Sequence, residues 1–524
     1  MTKWTNEQIN VFDASGNVLV YASAGSGKTS VMVKKIVDDV VKGVPVKDIL
    51  VVSYTKASAT DMRLKIINAL FDVAKDENVK DVDKIREEID NLPFAEIGTM
   101  DSFLGRLIKE NFEYLKISPK AQQMDETESK DMKRRALKKV MNDEYEKQAE
   151  DFIRVASRAS GIVDDTPLSE IVLKIYDAIS INPRPDEFKA MLLSSVTDNP
   201  DSVYGKVILD FYRDLAAETL PFVKRTIDVT SLEGAPVYAA ALGHSVETLE
   251  ELSDMCTAND AKKIIERYVK PKFSGGKSII SDEDKALVAT ARDKTAEIIE
   301  NLSEKLFVDY TNYNVNDAKE FMRVVMRVVE EFDKEYERLK KRENKIDFAD
   351  LSKYAVKLLK DESRREEIRQ KFSLVFVDEY QDINPLQEEI LLKITDGNLF
   401  MVGDVKQSIY AFRNADSKIF TDKKKSFETG RSQGRALPMT ANFRSEKGVL
   451  EFVDRVFSGI MTLTHGGCDY KNESLFLKDG FTGEMSKNAR IMLVKNDPSR
   501  EETEISGVYS VMSHERNSSL DEIS

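Results

Sequence analysis

The segment Ala22-Ser23-Ala24-Gly25-Ser26-Gly27-Lys28-Thr29 constrains this chain more than any other. The apolar run Val18 to Tyr21 precedes it, and an amphipathic helical pattern starts near Lys28. Small residues let successive backbone N–H groups curl around phosphate oxygens, while Lys28 reaches the outer phosphates and the Thr29 hydroxyl ligates Mg²⁺. The helix beginning there turns the positive end of its dipole toward the same anion, with Ser30 in its first turn as a further phosphate-binding candidate. Strand, glycine-rich turn and helix in this order predict an ATP·Mg²⁺ site on a parallel sheet. Ala22 stands where such loops usually carry their first glycine.

A phosphate loop of this kind needs a carboxylate at the end of a neighbouring strand. Leu374-Val375-Phe376-Val377 is wholly apolar, as a parallel strand buried on both faces is, and it runs into Asp378-Glu379-Tyr380-Gln381-Asp382. Asp378 is placed to hold Mg²⁺. Glu379 is placed to orient and deprotonate an attacking water.

Further strand-like runs occur at Ile49 to Ser53, Glu96 to Thr99, Leu399 to Val402, Leu437 to Thr440 and Arg490 to Val494, several of them followed by helical patterns. Strands alternating with helices predict an α/β fold, a parallel sheet with helices on both faces. From about Ile117 to Arg342 the pattern is almost wholly amphipathic helix, with loops expected at Asn182 to Pro185 and Lys272 to Lys277. The chain therefore reads as one α/β domain interrupted by a large all-helical insertion. Its 524 residues, 41% hydrophobic and 32% charged, suffice for several packed cores, and no run approaches a membrane span. The N-terminus lacks a signal-peptide pattern, and two distant cysteines, Cys256 and Cys468, form neither a disulfide framework nor a metal cluster, which predicts a cytoplasmic protein. The net charge of −14 argues mildly against nucleic-acid binding, although a local basic track can coexist with an acidic exterior.

Taken in order, these segments resemble the UvrD/Rep-type superfamily 1A DNA helicases, in which an alanine at the first phosphate-loop position is usual. Thr5-Asn6-Glu7-Gln8 resembles the adenine-reading motif, with Gln8 contacting the base. Ser53-Tyr54-Thr55-Lys56-Ala57-Ser58-Ala59 and Thr99-Met100-Asp101-Ser102-Phe103 resemble the DNA-side motifs, the second with Asp101 where the family often has histidine. Val402-Gly403-Asp404-Val405-Lys406-Gln407-Ser408-Ile409-Tyr410-Ala411-Phe412-Arg413 resembles motif III, and Ala441-Asn442-Phe443-Arg444-Ser445 resembles motif IV. The resemblance implies that Gln407 senses the γ-phosphate, that Phe443 stacks on adenine, and that Arg444 contacts the γ-phosphate. It also implies that Tyr54, Thr55, Thr99, Ser102, Phe103, Tyr410, Phe412 and Arg413 face DNA, the aromatics by stacking on bases of any sequence.

The long stretch between Phe103 and Asp378 resembles the RecB/AddA branch, as do Ile117-Ser118-Pro119 with Met124-Asp125-Glu126-Thr127-Glu128 and Lys345-Ile346-Asp347-Phe348-Ala349-Asp350-Leu351. That resemblance implies a RecA-like motor domain over 1–116 and 344–434, a helical insertion over 117–343, and the start of a second RecA-like domain over 435–524. It further implies 3′→5′ helicase activity in double-strand break repair, single-stranded and duplex DNA as partners, and an AddB-like partner protein. Segments resembling motifs V and VI and a nuclease region are not found, so the chain is expected to be an N-terminal fragment that hydrolyses ATP poorly and does not unwind DNA. A UvrD-type helicase without nuclease and an ATP-switched DNA-binding module are the alternatives.

Overall fold

The computed structural model describes residues 4–477 except 77–80, 160–164, 198, 200–201, 231, 233–234, 274–279, 308–314, 463–465, 469 and 471–475. The strand expected at Arg490 to Val494 lies outside these residues, as does most of the loop expected at Lys272 to Lys277.

Ten strands occur among the described residues: β1 (Val18–Ala22), β2 (Ile49–Ser53), β3 (Glu96–Thr99), β4 (Gln122–Gln123), β5 (Lys345–Ile346), β6 (Leu374–Val377), β7 (Leu399–Gly403), β8 (Arg435–Met439), β9 (Ala441–Asn442) and β10 (Phe476–Leu477). Six of them make one sheet in the order β3-β2-β6-β7-β1-β8, and every pair is parallel. Alternate residues supply two cores, as the two-residue period of a strand requires. Leu19, Leu50, Val52, Val375, Val377 and Met401 face the helices Met100–Glu110, Phe348–Leu358 and Pro385–Ile394. Val18, Val20, Val51, Phe376, Phe400 and Val402 face Lys28–Val41 and Lys56–Ala74. Burial on both faces is why these strands read as unbroken apolar runs.

The register of β8 bears on where the sheet unit ends. Arg435 to Met439 lie beside Val18 to Ala22, and the Arg435 N–H donates to the Asn17 carbonyl at 2.9 Å. A division between residues 434 and 435 would strip this edge strand from the sheet, so the unit built on β1 extends at least to Met439. A five-residue apolar strand carries no mark of which sheet it joins, and only its pairing decides that.

Between β4 and β5 the described chain is helical, and it builds two separate cores. Helices Glu126–Glu146, Glu150–Ala159, Thr166–Ser180 and Val315–Glu343 enclose one, around Phe152, Tyr176, Phe332 and Tyr336. Helices Val203–Val229, Pro236–Asp254, Ala258–Arg267 and Asp282–Leu306 enclose the other, around Leu209, Leu242, Leu249 and Leu302. The region enters and leaves the sheet domain side by side, because β4 pairs with β5. Asp125 and Asp347 cap the helices that follow these strands, each in a reciprocal capping box. Behind this neck the Lys340 ammonium, 2% exposed, is held by Asp350 at 2.6 Å and Glu337 at 2.7 Å. Burial opposes its charge, but Asp350, Asp347 and Glu337 outweigh burial and hold the lysine protonated. No described helix is long and apolar enough to cross a membrane.

Candidate active site at the carboxyl edge of the sheet

A parallel sheet brings the carboxyl ends of all its strands to one edge, where ligands of such sheets sit. Here that edge gathers Ala22 from β1, Ser53 from β2, Thr99 from β3, Asp378 after β6, Asp404 after β7 and Thr440 after β8. The loop from Ser23 to Gly27 turns on two glycines with left-handed backbone, Gly25 at φ +72° and Gly27 at φ +87°, a conformation side chains disfavour. Gly27 caps the helix Lys28–Val41 without a side chain, so the first-turn N–H groups, including those of Thr29 and Ser30, have no capping side chain. Ser26 is 1% exposed, and its Oγ has no partner among the described residues. Buried polar groups are ordinarily paired, and an oxyanion in this loop would supply the missing acceptor.

Lys28 is the centre of a closed ring. Its Nζ donates to Glu379 Oε2 at 3.4 Å and to Gln407 Oε1 at 3.2 Å. Gln407 Nε2 donates to Asp404 Oδ2 at 2.9 Å, and the Asp404 N–H donates to Gln381 Oε1 at 2.9 Å. Gln381 Nε2 donates to Glu379 Oε2 at 3.0 Å, closing the circuit, and also to Asp382 Oδ2 at 3.1 Å. Glu379 sits at φ +51°, which costs a non-glycine residue of order 1–3 kcal/mol and typically marks functional sites. Burial pushes the Asp378 carboxyl up to about 6, with Glu379 adding to the shift and Lys28 opposing it. Asp382 is raised to about 6 in the same way, by burial and then by Glu379. Two carboxyls this reluctant to ionise beside a third describe an acidic pocket short of positive charge.

The residues expected to read the nucleotide converge here, with one adjustment. Gln8 is 5% exposed and its amide is largely engaged: Oε1 accepts from the Thr5 N–H at 3.0 Å, and Nε2 donates to the Ser26 carbonyl at 3.2 Å. Gln8 therefore braces the phosphate loop, and one Nε2 hydrogen and one Oε1 lone pair remain for a base. The motif around Phe443 docks directly on the same loop. The Phe443 N–H donates to the Gly25 carbonyl at 2.9 Å, and Asn442 Nδ2 donates to the Ala24 carbonyl at 2.6 Å. Asn442 Oδ1 accepts the N–H groups of Arg444 and Ser445, each at 2.8 Å, which fixes the turn presenting Arg444. A Cβ on Gly25 would stand 2.8 Å from the Arg444 Cβ, so this contact requires glycine. Glu7 completes the clamp by accepting from the Thr440 N–H and hydroxyl, each at 2.9 Å.

A second cluster lies on the loop after Gln407. The Tyr54 and Tyr410 rings stack with centroids 4.2 Å apart, and Phe412 lies 5.8 Å from Tyr410. The Arg413 guanidinium stands 5.7 Å from both the Tyr410 and Phe412 rings. Phe412 is 76% exposed, an uncommon setting for a large aromatic side chain. Asp101 faces Arg413 and Lys56; burial raises its carboxyl, and both cations oppose the rise. Thr55 and Thr99 are exposed or half-buried helix caps, each accepting the N–H of the third residue on, and Ser102 Oγ donates to the Thr99 carbonyl.

Phe103 is not brought to this cluster's surface: it is 4% exposed and packs edge-on against Phe372 at 5.8 Å inside the core. The helix Met100–Glu110 places residues three apart on one side, and Met100, Phe103, Leu104 and Leu107 form its buried stripe. Conversely, Gln381, Asp404, Asn442 and Glu7 were absent from the expected site. Their only sequence signal is a polar side chain within three residues of an expected catalytic or binding position.

The Mg²⁺ implied by this arrangement fits the donors present. Thr29 follows the phosphate loop and Asp378 follows β6, and they offer the hard oxygens that Mg²⁺ takes beside phosphate oxygens.

Residues 4–428 match the UvrD/REP helicase N-terminal domain family. The chain is 32% identical over 491 residues to an ATP-dependent helicase/nuclease subunit from Alkaliphilus oremlandii, covering 90% of this chain and 40% of that protein. It is 31% identical to the protein of the same description from Alkaliphilus metalliredigens, covering 90% and 41%. It is 28% identical to that of Ligilactobacillus salivarius, covering 95% and 42%. The chain thus spans about two-fifths of the length of these curated relatives. The matched residues include the phosphate loop, the acidic end of β6 and the aromatic loop after Gln407, and the chain belongs to the UvrD/REP helicase N-terminal domain family.

Proposed function

We propose that this chain binds ATP·Mg²⁺ and single-stranded DNA as part of an AddA-like 3′→5′ DNA helicase–nuclease that processes double-strand breaks with an AddB-like partner. The observation that carries the reading is continuity. One hydrogen-bonded ring joins Lys28 to Glu379 and Gln407, and the loop that holds Gln407 goes on to carry Tyr410, Phe412 and Arg413. The six-stranded sheet is read as a RecA-like motor domain, and the helical region between β3 and β6 as its insertion.

In this mechanism the loop N–H groups and Lys28 hold the triphosphate. Thr29 and Asp378 would hold Mg²⁺, which when bound would supply positive charge to offset that developing on the phosphate oxygens. Glu379 Oε2 accepts a proton from the water that attacks the γ-phosphorus, a new P–O bond forms, and the bond to the bridging oxygen breaks to leave ADP and inorganic phosphate. Arg444 adds positive charge on the γ side, and Phe443 covers the base. As Lys28 turns to phosphate it releases Glu379 and Gln407, so nucleotide binding opens the ring at Lys28 while Gln381 still holds Glu379 and Asp404 still holds Gln407.

The DNA half is tested at Phe412, whose exposure means truncation removes little packing. Phe412→Ala is expected to weaken binding of an oligo-dT strand by about 1–3 kcal/mol, roughly five- to 150-fold in Kd. Fluorescence anisotropy reads this directly, and an unchanged Kd would remove the aromatic loop from the DNA path.

A further inference from the structure

We infer that Gln381 is a positioning residue that couples the nucleotide site to the DNA-side loop, an inference that rests on the function proposed above. Gln381 is 1% exposed and uses its side chain completely. Its Nε2 spans two carboxylates, Glu379 Oε2 at 3.0 Å and Asp382 Oδ2 at 3.1 Å. Its Oε1 takes the Asp404 N–H at 2.9 Å, and its own carbonyl takes the Ser408 hydroxyl at 3.3 Å. One amide thus touches the general-base candidate on one side and, on the other, both walls of the turn that leads into Tyr410.

The fit leaves no slack. A Cβ on Gly403 would stand 2.5 Å from Gln381 Oε1 and 2.9 Å from a Phe420 ring carbon. The amide is wedged between β7 and the acidic strand end, so displacement of residues 404–409 moves the group that holds Glu379. An amide is the side chain this position demands. Its N–H₂ must donate to two carboxylates while its oxygen accepts a backbone N–H, and a carboxylate here would face Glu379 and Asp382 with like charge. Gln407 cannot supply this link alone, because its bond to Lys28 must break when Lys28 turns to phosphate. The bonds of Gln381 do not involve Lys28, so the turn of Lys28 to phosphate does not require them to break. Gln381 itself touches neither ATP nor DNA.

Coupling between two sites is reciprocal, so it appears as a change in nucleotide affinity when DNA is bound. The test measures Kd for Mg²⁺ with a non-hydrolysable ATP analogue on the 524-residue chain, with and without saturating oligo-dT. Wild type is expected to show a ratio of about fivefold or more. Gln381→Met, close in shape but without hydrogen bonds, is expected to bring the ratio to about one. Ser408→Ala is expected to reduce the ratio, and Ser408→Thr, which keeps the hydroxyl, to restore it; this pair decides the matter if Gln381→Met fails to fold. A ratio preserved in Gln381→Met or Ser408→Ala overturns the inference and leaves the proposed function standing, and a wild-type ratio of one does the same. Absence of nucleotide or DNA binding in wild type overturns the proposed function and this inference with it.

Discussion

Glu379→Gln is expected to lower the rate of ATP hydrolysis in the presence of single-stranded DNA by about 10²–10⁴-fold, with ATP still bound. The carboxylate is replaced by an amide of the same shape, so the loss isolates proton acceptance. Lys28, Thr29 and Asp378 remain to hold the triphosphate and its metal, and Gln381 Nε2 still finds an acceptor in the new amide oxygen. Single-turnover hydrolysis of radiolabelled ATP by wild type and variant reads the ratio, and the ratio carries the argument whatever the absolute rate. Unchanged turnover would mean that no general base works at this position and would favour an ATP-operated switch over a motor.

The second large effect is on stability. Phe103→Ala is expected to cost the sheet domain about 3–5 kcal/mol, because the ring is buried against Phe372 and its removal leaves a cavity. Denaturant unfolding measures the loss. DNA affinity of the folded variant is expected to match wild type, which separates Phe103 from Tyr54 and Tyr410 nearby. A stable variant with weakened DNA binding would return Phe103 to the DNA path.

The strands were legible because parallel strands buried on both faces must be continuously apolar, and the runs at Ile49 to Ser53 and Leu374 to Val377 become β2 and β6 with those bounds. The phosphate loop was legible because anion binding by backbone demands glycine and small residues in fixed order. The burial of Phe103 was not legible because the motif it belongs to mixes roles. Thr99 and Ser102 sit at the helix start, while the residue after Ser102 turns into the core, and helical phase rather than motif membership decides which way it points. The edge position of β8 was not legible, since a pairing partner in a parallel sheet is set by tertiary contact. Nor were the roles of Gln381 and Asn442. Their importance lies in which backbone groups the fold brings within 3 Å, and no spacing along the chain encodes that.

The central claim is that the carboxyl edge of this sheet is an ATP·Mg²⁺ site organised by Lys28. A titration of the 524-residue chain with a fluorescent ATP analogue and Mg²⁺, in wild type and Lys28→Ala, tests it most directly. One saturable site is expected in wild type, weakened about tenfold or more in Lys28→Ala by loss of a charge-assisted contact to phosphate. No binding in wild type, or equal binding in both proteins, would contradict the account.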